Sequence, residues 1–174
     1  MQNIVICPRC GEENIEGTDR CVECLEPFRD RDVPVPEEGL QKLLMETPVI
    51  EVGLHAPVMV APDTTVAEAI RQMKAAETGL VLVVADQLLV GIFTERDILL
   101  NLVGTDKDFN ELKVRDCMTR APETVEPRDP LRNALNKMSV GGFRHIPITE
   151  QGRVVGLVTA KDALQFLARE VLYK

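Results

Sequence analysis

The chain has 174 residues, of which 45% are apolar and 3% aromatic, and its formal net charge is -8. This composition predicts a soluble globular protein of one or two domains with an aliphatic core. The acidic balance disfavours bulk nucleic-acid binding because it repels phosphate backbones, and few aromatic rings are present to stack against bases. No apolar run approaches the roughly 20 residues of a membrane-spanning helix.

The placement of the five cysteines indicates the compartment. The segment Met1 to Cys7 lacks the basic start and the long apolar stretch of a secretory signal. Four cysteines fall within the first 24 residues as two close pairs, which is typical of metal sites, and disulfides are not expected in a reducing compartment. We therefore expect a cytoplasmic protein.

A cysteine-rich head, residues 1–30, carries the pattern of a metal site. Two Cys-x2-Cys pairs are separated by ten residues, and this spacing lets four thiolates reach one ion in a tetrahedron at about 2.3 Å. So short a segment buries too little apolar surface to fold unaided, whereas a metal contributes roughly 10 kcal/mol or more. The spacing resembles that of short zinc ribbons. We predict one structural Zn²⁺, bound by Cys7, Cys10, Cys21 and Cys24.

Other interpretations of the head stay open. The same four ligands fit iron of the rubredoxin type, and the cysteines could instead form two disulfides or remain without a ligand. The head holds three arginines and seven acidic residues, which favours docking to a protein over docking to nucleic acid.

Residues 31–46 are predicted to be a linker and a lead-in helix. Pro34 and Pro36 favour an extended chain. Leu40, Leu43 and Leu44 then share one helical face, which predicts a helix over 37–46.

The remaining chain contains an internal repeat at an offset of 65 residues. Residues 56–101 match residues 121–166 at 11 of 46 positions, and many other pairs exchange one aliphatic residue for another. The duplication predicts one fold used twice, with two half-cores packed face to face. We assign 47–104 to the first repeat, 105–112 to a connector and 113–174 to the second repeat.

Each repeat has the same predicted plan of strand, helix, hairpin and helix. The first strand lies around Val58 to Val60, or at Val125 in the second repeat. The helix after it is predicted to be capped by Asp63 or Thr64, and by Asp129 with Pro130 at the first helical position in the second repeat. Its buried face recurs at i, i+3, i+4 and i+7: Val66, Ala69, Ile70 and Met73, then Leu131, Ala134, Leu135 and Met138.

The hairpins are predicted to turn at Asp86-Gln87 and at Gln151-Gly152. The last helix of each repeat begins at Thr94 or Thr159.

A Gly-x-x-Thr-x-x-Asp unit occurs once in each repeat, at 91–97 and at 156–162. A purely structural interpretation is a capping box, in which Thr and Asp satisfy free helix amides. The unit also lies where a strand ends and a helix begins. There a hydroxyl, a carboxylate and free N–H groups can meet ribose hydroxyls or phosphate oxygens.

From about Met45 to Leu172 the chain resembles a tandem pair of cystathionine-β-synthase (CBS) domains, the Bateman module. The resemblance rests on Val114–Arg120, Val125–Pro130, Phe143–Ile148 and the two Gly-x-x-Thr-x-x-Asp units. It implies an α/β (α+β) fold of two pseudosymmetric β-α-β-β-α repeats, packed sheet to sheet with two clefts between them. It also implies a regulatory sensor without catalysis, which binds an adenosyl ligand (AMP, ADP, ATP or S-adenosylmethionine) and often forms a flat dimer.

The resemblance implies roles for six residues. Asp97 and Asp162 would accept hydrogen bonds from ribose, Thr94 and Thr159 would contact ribose or phosphate, and an arginine and a histidine would reach phosphate. The last two are Arg144 and His145; the alternative for them is an exposed strand edge with a solvated arginine.

The two repeats are not equivalent in sequence. The first has Gly79 and Leu80 where the second has Arg144 and His145, and residues 47–55 are a poor counterpart of 113–120. Residues 47–104 hold 3 basic and 7 acidic side chains, whereas 112–174 hold 11 basic and 7 acidic. We therefore expect a phosphate-bearing ligand to prefer the cleft with Thr159 and Asp162.

The favoured function is a non-catalytic sensor, expected to be a homodimer, that relays ligand binding through the helix at 37–46 to a ribbon that docks to a protein. The alternative is a ligand-free dimerisation scaffold that presents the ribbon to a protein or, less favoured, to nucleic acid. An enzyme is disfavoured because His55 and His145 are the only histidines and Cys117 has no partner in the sequence. Cys117 is interpreted as a small buried apolar residue.

Overall fold

The computed structural model describes residues 4–7, 10–15, 20–24, 39–52 and 56–172. The chain divides into two compact units, Met1–Lys42 and Leu43–Lys174. The predicted linker at 31–38 and His55 lie outside the described residues. Within those residues, no helix is long and apolar enough to cross a membrane.

The first unit contains a small hairpin that holds the first cysteine pair. Strands β1 (Ile4–Ile6) and β2 (Glu13–Ile15) pair antiparallel. Between them, the Cys7 amide donates to the Glu12 carbonyl at 2.8 Å and the Gly11 amide donates to the Cys7 carbonyl at 2.9 Å. Gly11 has a φ of +77°, a conformation that glycine adopts without strain.

A short helix, α1 (Leu40–Glu46), lies where the three leucines predict one. The predicted start at 37 lies outside the described residues.

The first repeat has the predicted order of elements. β3 (Met59–Val60) pairs parallel with β4 (Leu80–Ala85), and β4 pairs antiparallel with β5 (Leu88–Thr94). The helix between β3 and β4 buries three of the four predicted apolar positions, and the fourth, Ile70, is half-buried. The elements are β3 (Met59–Val60), α2 (Val66–Ala75), β4 (Leu80–Ala85), β5 (Leu88–Thr94) and α3 (Glu95–Asn101).

The second repeat follows the same plan. The strand predicted at Val125 is reduced to a single parallel bridge with Ile148. Strand β7 (His145–Glu150) pairs antiparallel with β8 (Arg153–Thr159). The elements are β6 (Thr119–Arg120), α4 (Leu131–Gly141), β7 (His145–Glu150), β8 (Arg153–Thr159) and α5 (Ala160–Leu172).

Both predicted hairpin turns are present. Asp86 and Gln87 have φ values of 49° and 67°, and Gln151 and Gly152 have 51° and 79°. Two consecutive positive φ angles are the signature of a type I′ turn, whose twist matches that of the flanking strands.

The start of α2 differs from the sequence prediction. The cap is neither Asp63 nor Thr64 but Thr65, whose hydroxyl oxygen accepts a hydrogen bond from the Glu68 amide at 3.2 Å. Residues 63–65 are all polar, so composition does not select among them, and the cap is fixed by where the helix packs.

The start of α4 also differs. Pro130 precedes the helix instead of opening it, with a ψ of 146°, and the first helical residue is Leu131. The Asp129 carboxylate does not cap α4; it accepts a hydrogen bond from the Glu126 amide at 2.9 Å and closes the preceding turn.

The opening segments of the two repeats are exchanged. Residues 47–52 pack on the second repeat, where the Val49 amide donates to the Asp129 carbonyl at 2.8 Å. At the equivalent place in the first repeat, the Val114 amide donates to the Thr64 carbonyl at 2.9 Å. Two 3₁₀ turns, Val49–Glu51 and Val114–Asp116, therefore occupy equivalent positions. The two opening segments differ in sequence but occupy the same place in structure. This is possible because backbone atoms, and not side chains, make these hydrogen bonds.

Three apolar clusters form the core of the second unit. One is formed by the first repeat together with Val114 of the exchanged segment, and another by the second repeat together with Val49. The third joins β4 and β5 to β8, which confirms that the two half-cores pack face to face; it contains Leu80, Leu82, Ile92 and Leu157.

Cys117 is half-buried and packs against the first-repeat cluster. Its thiol lies 3.5 Å from the carbonyl oxygens of Lys113 and Val114. Burial is the largest cause that raises the pKa of this thiol, to about 11.

Candidate metal centre and ligand clefts

The four cysteines of the head come together at one point. Their sulfur atoms all lie within 4.8 Å of one another, with Cys7 Sγ 3.6 Å from Cys24 Sγ and Cys10 Sγ 3.5 Å from Cys21 Sγ. A tetrahedral ion with bonds of about 2.3 Å separates its sulfur ligands by about 3.8 Å, whereas a disulfide joins them at about 2.05 Å. The arrangement therefore fits a four-thiolate metal site.

Backbone hydrogen bonds reach two of the cysteine sulfurs, those of Cys10 and Cys21. Hydrogen bonding from the Cys24 backbone is the largest cause that lowers the pKa of the Cys21 thiol, to about 6. A backbone hydrogen bond from Glu12 lowers the pKa of Cys10, but burial and the neighbouring thiols raise it to about 12. Ionisation of one thiol opposes ionisation of the next, and a divalent cation would remove that opposition.

The two Thr-x-x-Asp units have the same internal geometry. The Thr94 amide and hydroxyl donate to Asp97 Oδ2 at 2.8 and 2.6 Å. The Thr159 amide and hydroxyl donate to Asp162 Oδ2 at 2.9 and 2.6 Å. Each unit is therefore a capping box at the start of its last helix, as the structural interpretation predicts, and each also borders a cavity.

The cavity beside the second unit, which we call the 159 cleft, has a volume of about 370 Å³. Its second-repeat wall contains Thr159, Lys161 and Asp162, with His145 beside them. The first repeat supplies the opposite wall: Ala56, Pro57, Val58, Ala76, Glu77, Thr78 and Leu80.

The cavity beside the first unit, which we call the 94 cleft, has a volume of about 490 Å³. The first repeat contributes Thr94, Arg96 and Asp97 to it. The second repeat supplies the opposite wall: Thr119, Ala121, Pro122, Glu123, Gly141, Phe143 and His145. Each cleft is thus built by both repeats.

Thr119 makes a polar contact that no sequence motif indicates. Its hydroxyl donates to Asp97 Oδ1 at 3.2 Å, so this carboxylate is held by one threonine from each repeat. Thr119 belongs in sequence to the second repeat but lies in the exchanged segment, beside the first repeat. Its place in the 94 cleft therefore becomes visible only once the exchange is known.

His145 lies at the boundary of the two clefts and lines both. It is half-buried. Burial is the largest cause that lowers its pKa, and the positive charge of Arg144 acts in the same direction. The carboxylates of Asp162 and Glu95 act in the opposite direction.

Arg144 is placed differently from the other predicted site residues. Its carbonyl accepts a hydrogen bond from the Ala160 amide at 2.9 Å, just as the Gly79 carbonyl accepts one from Glu95 at 2.9 Å. The residue is exposed, and among the described residues it is not part of the lining of the 94 cleft or the 159 cleft. The structure therefore brings five of the six predicted residues to the clefts.

The two cleft linings contain the same numbers of lysine or arginine side chains and of carboxylates. Each lining contains one lysine or arginine and two carboxylates: Lys161 with Glu77 and Asp162 in the 159 cleft, and Arg96 with Asp97 and Glu123 in the 94 cleft. The charge difference between the two repeats in sequence therefore lies outside these linings.

Comparison with known families agrees with this architecture. The model of the CBS domain matches residues 44–104 and 114–169. The chain belongs to the CBS-domain family. It holds two such domains in tandem, and the exchanged opening segments and paired clefts are features of this CBS pair.

One relative is much longer than this chain. The CBS domain-containing protein CBSCBSPB5 of Arabidopsis thaliana is 36% identical over 108 residues, which are 61% of this chain and 20% of that protein. The chain therefore spans about one fifth of the length of that relative.

Solved structures confirm the fold of the CBS pair. An uncharacterized conserved protein from Pyrococcus horikoshii is 32% identical with a TM-score of 0.64, and the match covers 70% of this chain and 92% of that one. The CBS domain pair of protein MJ0100, solved in complex with 5'-methylthioadenosine and S-adenosyl-L-methionine, is 25% identical with a TM-score of 0.64. That match covers 71% of this chain and 98% of the other.

Proposed function

We propose that this chain is a non-catalytic regulatory protein whose CBS pair binds an adenosyl ligand. The candidates are AMP, ADP, ATP and S-adenosylmethionine. The observation that carries the proposal is the pairing of each Thr-x-x-Asp unit with a cleft whose opposite wall comes from the other repeat. A ligand held between two repeats favours one packing of those repeats over another, which is what a regulatory signal requires.

The chemistry of the linings supports this ligand class. In each cleft a carboxylate and a threonine hydroxyl can meet ribose hydroxyls, and a cation lies nearby for phosphate or a carboxylate group. Apolar side chains of both repeats, such as Ile92 and Phe143 in the 94 cleft, offer surface to a purine ring. The MJ0100 complex supports the same class, since that CBS pair was solved with adenosyl compounds bound.

We assign Thr94 and Asp97 to one ligand and Thr159 and Asp162 to the other, with His145 between them. Arg144 is assigned to phosphate at the exposed rim, which its side chain would have to reach from outside the cleft lining. We also predict that a phosphate-bearing ligand prefers the 159 cleft. The charged residues of the two linings are equal in number and do not account for this preference.

In the head, Cys7, Cys10, Cys21 and Cys24 would hold one Zn²⁺, with iron as the alternative. Four thiolates leave no open position for substrate, so the metal would have a structural role. It would fix the fold of this short segment. We propose that the resulting zinc ribbon is the module that contacts a protein partner and that ligand binding alters this contact through α1. A four-thiolate site needs reduced cysteines, which supports a cytoplasmic location.

The test is calorimetric titration of the full chain with each of the four ligands, repeated with Asp162→Asn and Asp97→Asn. Asparagine keeps an acceptor for the helix cap but removes the charge and one acceptor oxygen, so each variant should weaken binding at its own cleft about tenfold or more. Asp129→Asn is the matched control, because Asp129 also closes a turn but lines neither cleft. Unchanged binding in both cleft variants would contradict the assignment.

A ligand-free dimerisation scaffold is the second candidate. Leu99 and Leu164, which occupy equivalent positions of α3 and α5, are 67% and 68% exposed. Exposed leucines at equivalent positions suit a symmetric contact between copies. No binding of any of the four ligands at millimolar concentration, with a dimer seen by sedimentation, would favour the scaffold over the sensor.

A further inference from the structure

Asn14 is a buried polar side chain beside the four cysteines. It is 4% exposed and lies at the centre of β2, opposite Val5 of β1. A polar group in such a position costs free energy unless it is fully hydrogen-bonded. Its bonds therefore indicate why an amide is present there.

The Asn14 side chain makes three hydrogen bonds. Its Nδ2 donates to the Glu12 carbonyl at 2.8 Å and lies 3.6 Å from Cys21 Sγ, to which it also donates. Its Oδ1 accepts from the Val22 amide at 2.8 Å. Both donor hydrogens and the acceptor of the amide are thus in use.

These bonds tie the two cysteine pairs together. The Glu12 carbonyl that accepts from Asn14 also accepts from the Cys7 amide at 2.8 Å. On its other side, Asn14 holds the sulfur of Cys21 and the backbone of the residue that follows it. One side chain thereby fixes the first pair against the second, and it points an N–H group at a predicted ligand atom.

We propose that Asn14 is a positioning residue of the four-cysteine centre, which orients Cys21 and increases the affinity of the site for its metal. The inference rests on the proposed metal site. An N–H group directed at a thiolate sulfur disperses its negative charge, and four thiolates around a divalent ion carry an excess of that charge. Groups that orient a metal ligand in this way typically account for a 10- to 100-fold change in metal affinity.

The experiment measures Zn²⁺ affinity of the full chain by competition with a chromophoric chelator. Asn14→Asp keeps the shape and the acceptor for Val22 but removes both donors and places a carboxylate beside the thiolate. Asn14→Leu keeps most of the volume and removes all three bonds. Glu13→Gln is the matched control, because Glu13 lies next to Asn14 on β2 but is exposed. We expect a loss of affinity of about 10-fold or more in both Asn14 variants and none in the control.

A second readout separates orientation of Cys21 from general stability of the head. The chain is loaded with Co²⁺, and the thiolate-to-cobalt charge-transfer band is recorded. Loss of an N–H···S bond leaves the sulfur more electron-rich, so the band should move to longer wavelength in Asn14→Leu while the tetrahedral ligand-field bands persist. A side chain with only a structural role would lower occupancy without moving the band.

Equal Zn²⁺ affinity and equal band positions in wild type, both Asn14 variants and Glu13→Gln would overturn the inference while leaving the metal site in place. Failure of the wild-type chain to bind Zn²⁺, Co²⁺ or iron would overturn the metal site itself, and the role of Asn14 with it. The two failures are therefore distinguishable.

Discussion

Asp97 and Asp162 serve two purposes at the scale of single residues. One carboxylate oxygen caps the last helix of its repeat, and the carboxylate also borders a cleft. The sequence suggested both the cap and the binding role, because the Gly-x-x-Thr-x-x-Asp pattern is local and duplicated. The sequence did not indicate that Thr119 contacts Asp97 or that Arg144 lies outside both cleft linings. Both depend on contacts between distant segments.

His145 makes stability depend on pH. Burial, then Arg144, lowers its pKa below the ordinary value of 6.5, although Asp162 and Glu95 oppose the shift. Below pH 6.5 the unfolded chain therefore binds a proton that the folded chain resists, so the melting temperature should fall as the pH drops from 6.5 through the lowered pKa. In His145→Leu, which copies Leu80 of the first repeat, this part of the dependence should vanish.

The measurement is the melting temperature of both proteins between pH 5 and pH 8. His55 is retained in both and does not affect the comparison. Parallel pH profiles for wild type and His145→Leu would show that burial of His145 carries no such penalty.

At the scale of elements, periodicity predicted most of the structure of each repeat. The buried faces of α2 and α4 and the two type I′ turns follow from local pattern, and both are present. The starts of these helices could not be predicted from local pattern. Thr65 is selected from three polar residues by tertiary packing, and Pro130 precedes α4 instead of opening it. The exchange of the opening segments also has no local signal.

The exchanged segment of the second repeat places the Met118 side chain against Gly91 of β5. β6 pairs with β5 opposite Gly91, and a methyl group added there would collide with the side chain of Met118. Gly91→Ala should therefore lower the free energy of unfolding by about 1–3 kcal/mol, as overpacking of a core does.

Urea denaturation checks this expectation, and Met118→Ala tests its cause. Gly91→Ala should cost much less in the Met118→Ala background than in the wild type, because the obstructing side chain is then absent. Independent, additive effects of the two substitutions would rule out the contact between Gly91 and Met118 as the cause.

At the scale of the whole molecule, the net charge of -8 conceals a basic second repeat. The charge argues against long nucleic acids, but it leaves one cation in each cleft. The sequence predicted the two repeats, their packing face to face and the existence of two clefts. It did not predict that each cleft is made by a Thr-x-x-Asp unit of one repeat and the helix-to-strand loop of the other.

That shared construction is the central claim, and hydrogen exchange of the full chain tests it most directly. Amide exchange is followed by mass spectrometry with and without a saturating adenosyl ligand. We predict joint protection of segments from both repeats: 159–162 with 56–58 and 76–80 for the 159 cleft, or 94–97 with 119–123 and 143–145 for the 94 cleft. Protection confined to one repeat, or no protection at saturation, would contradict the account.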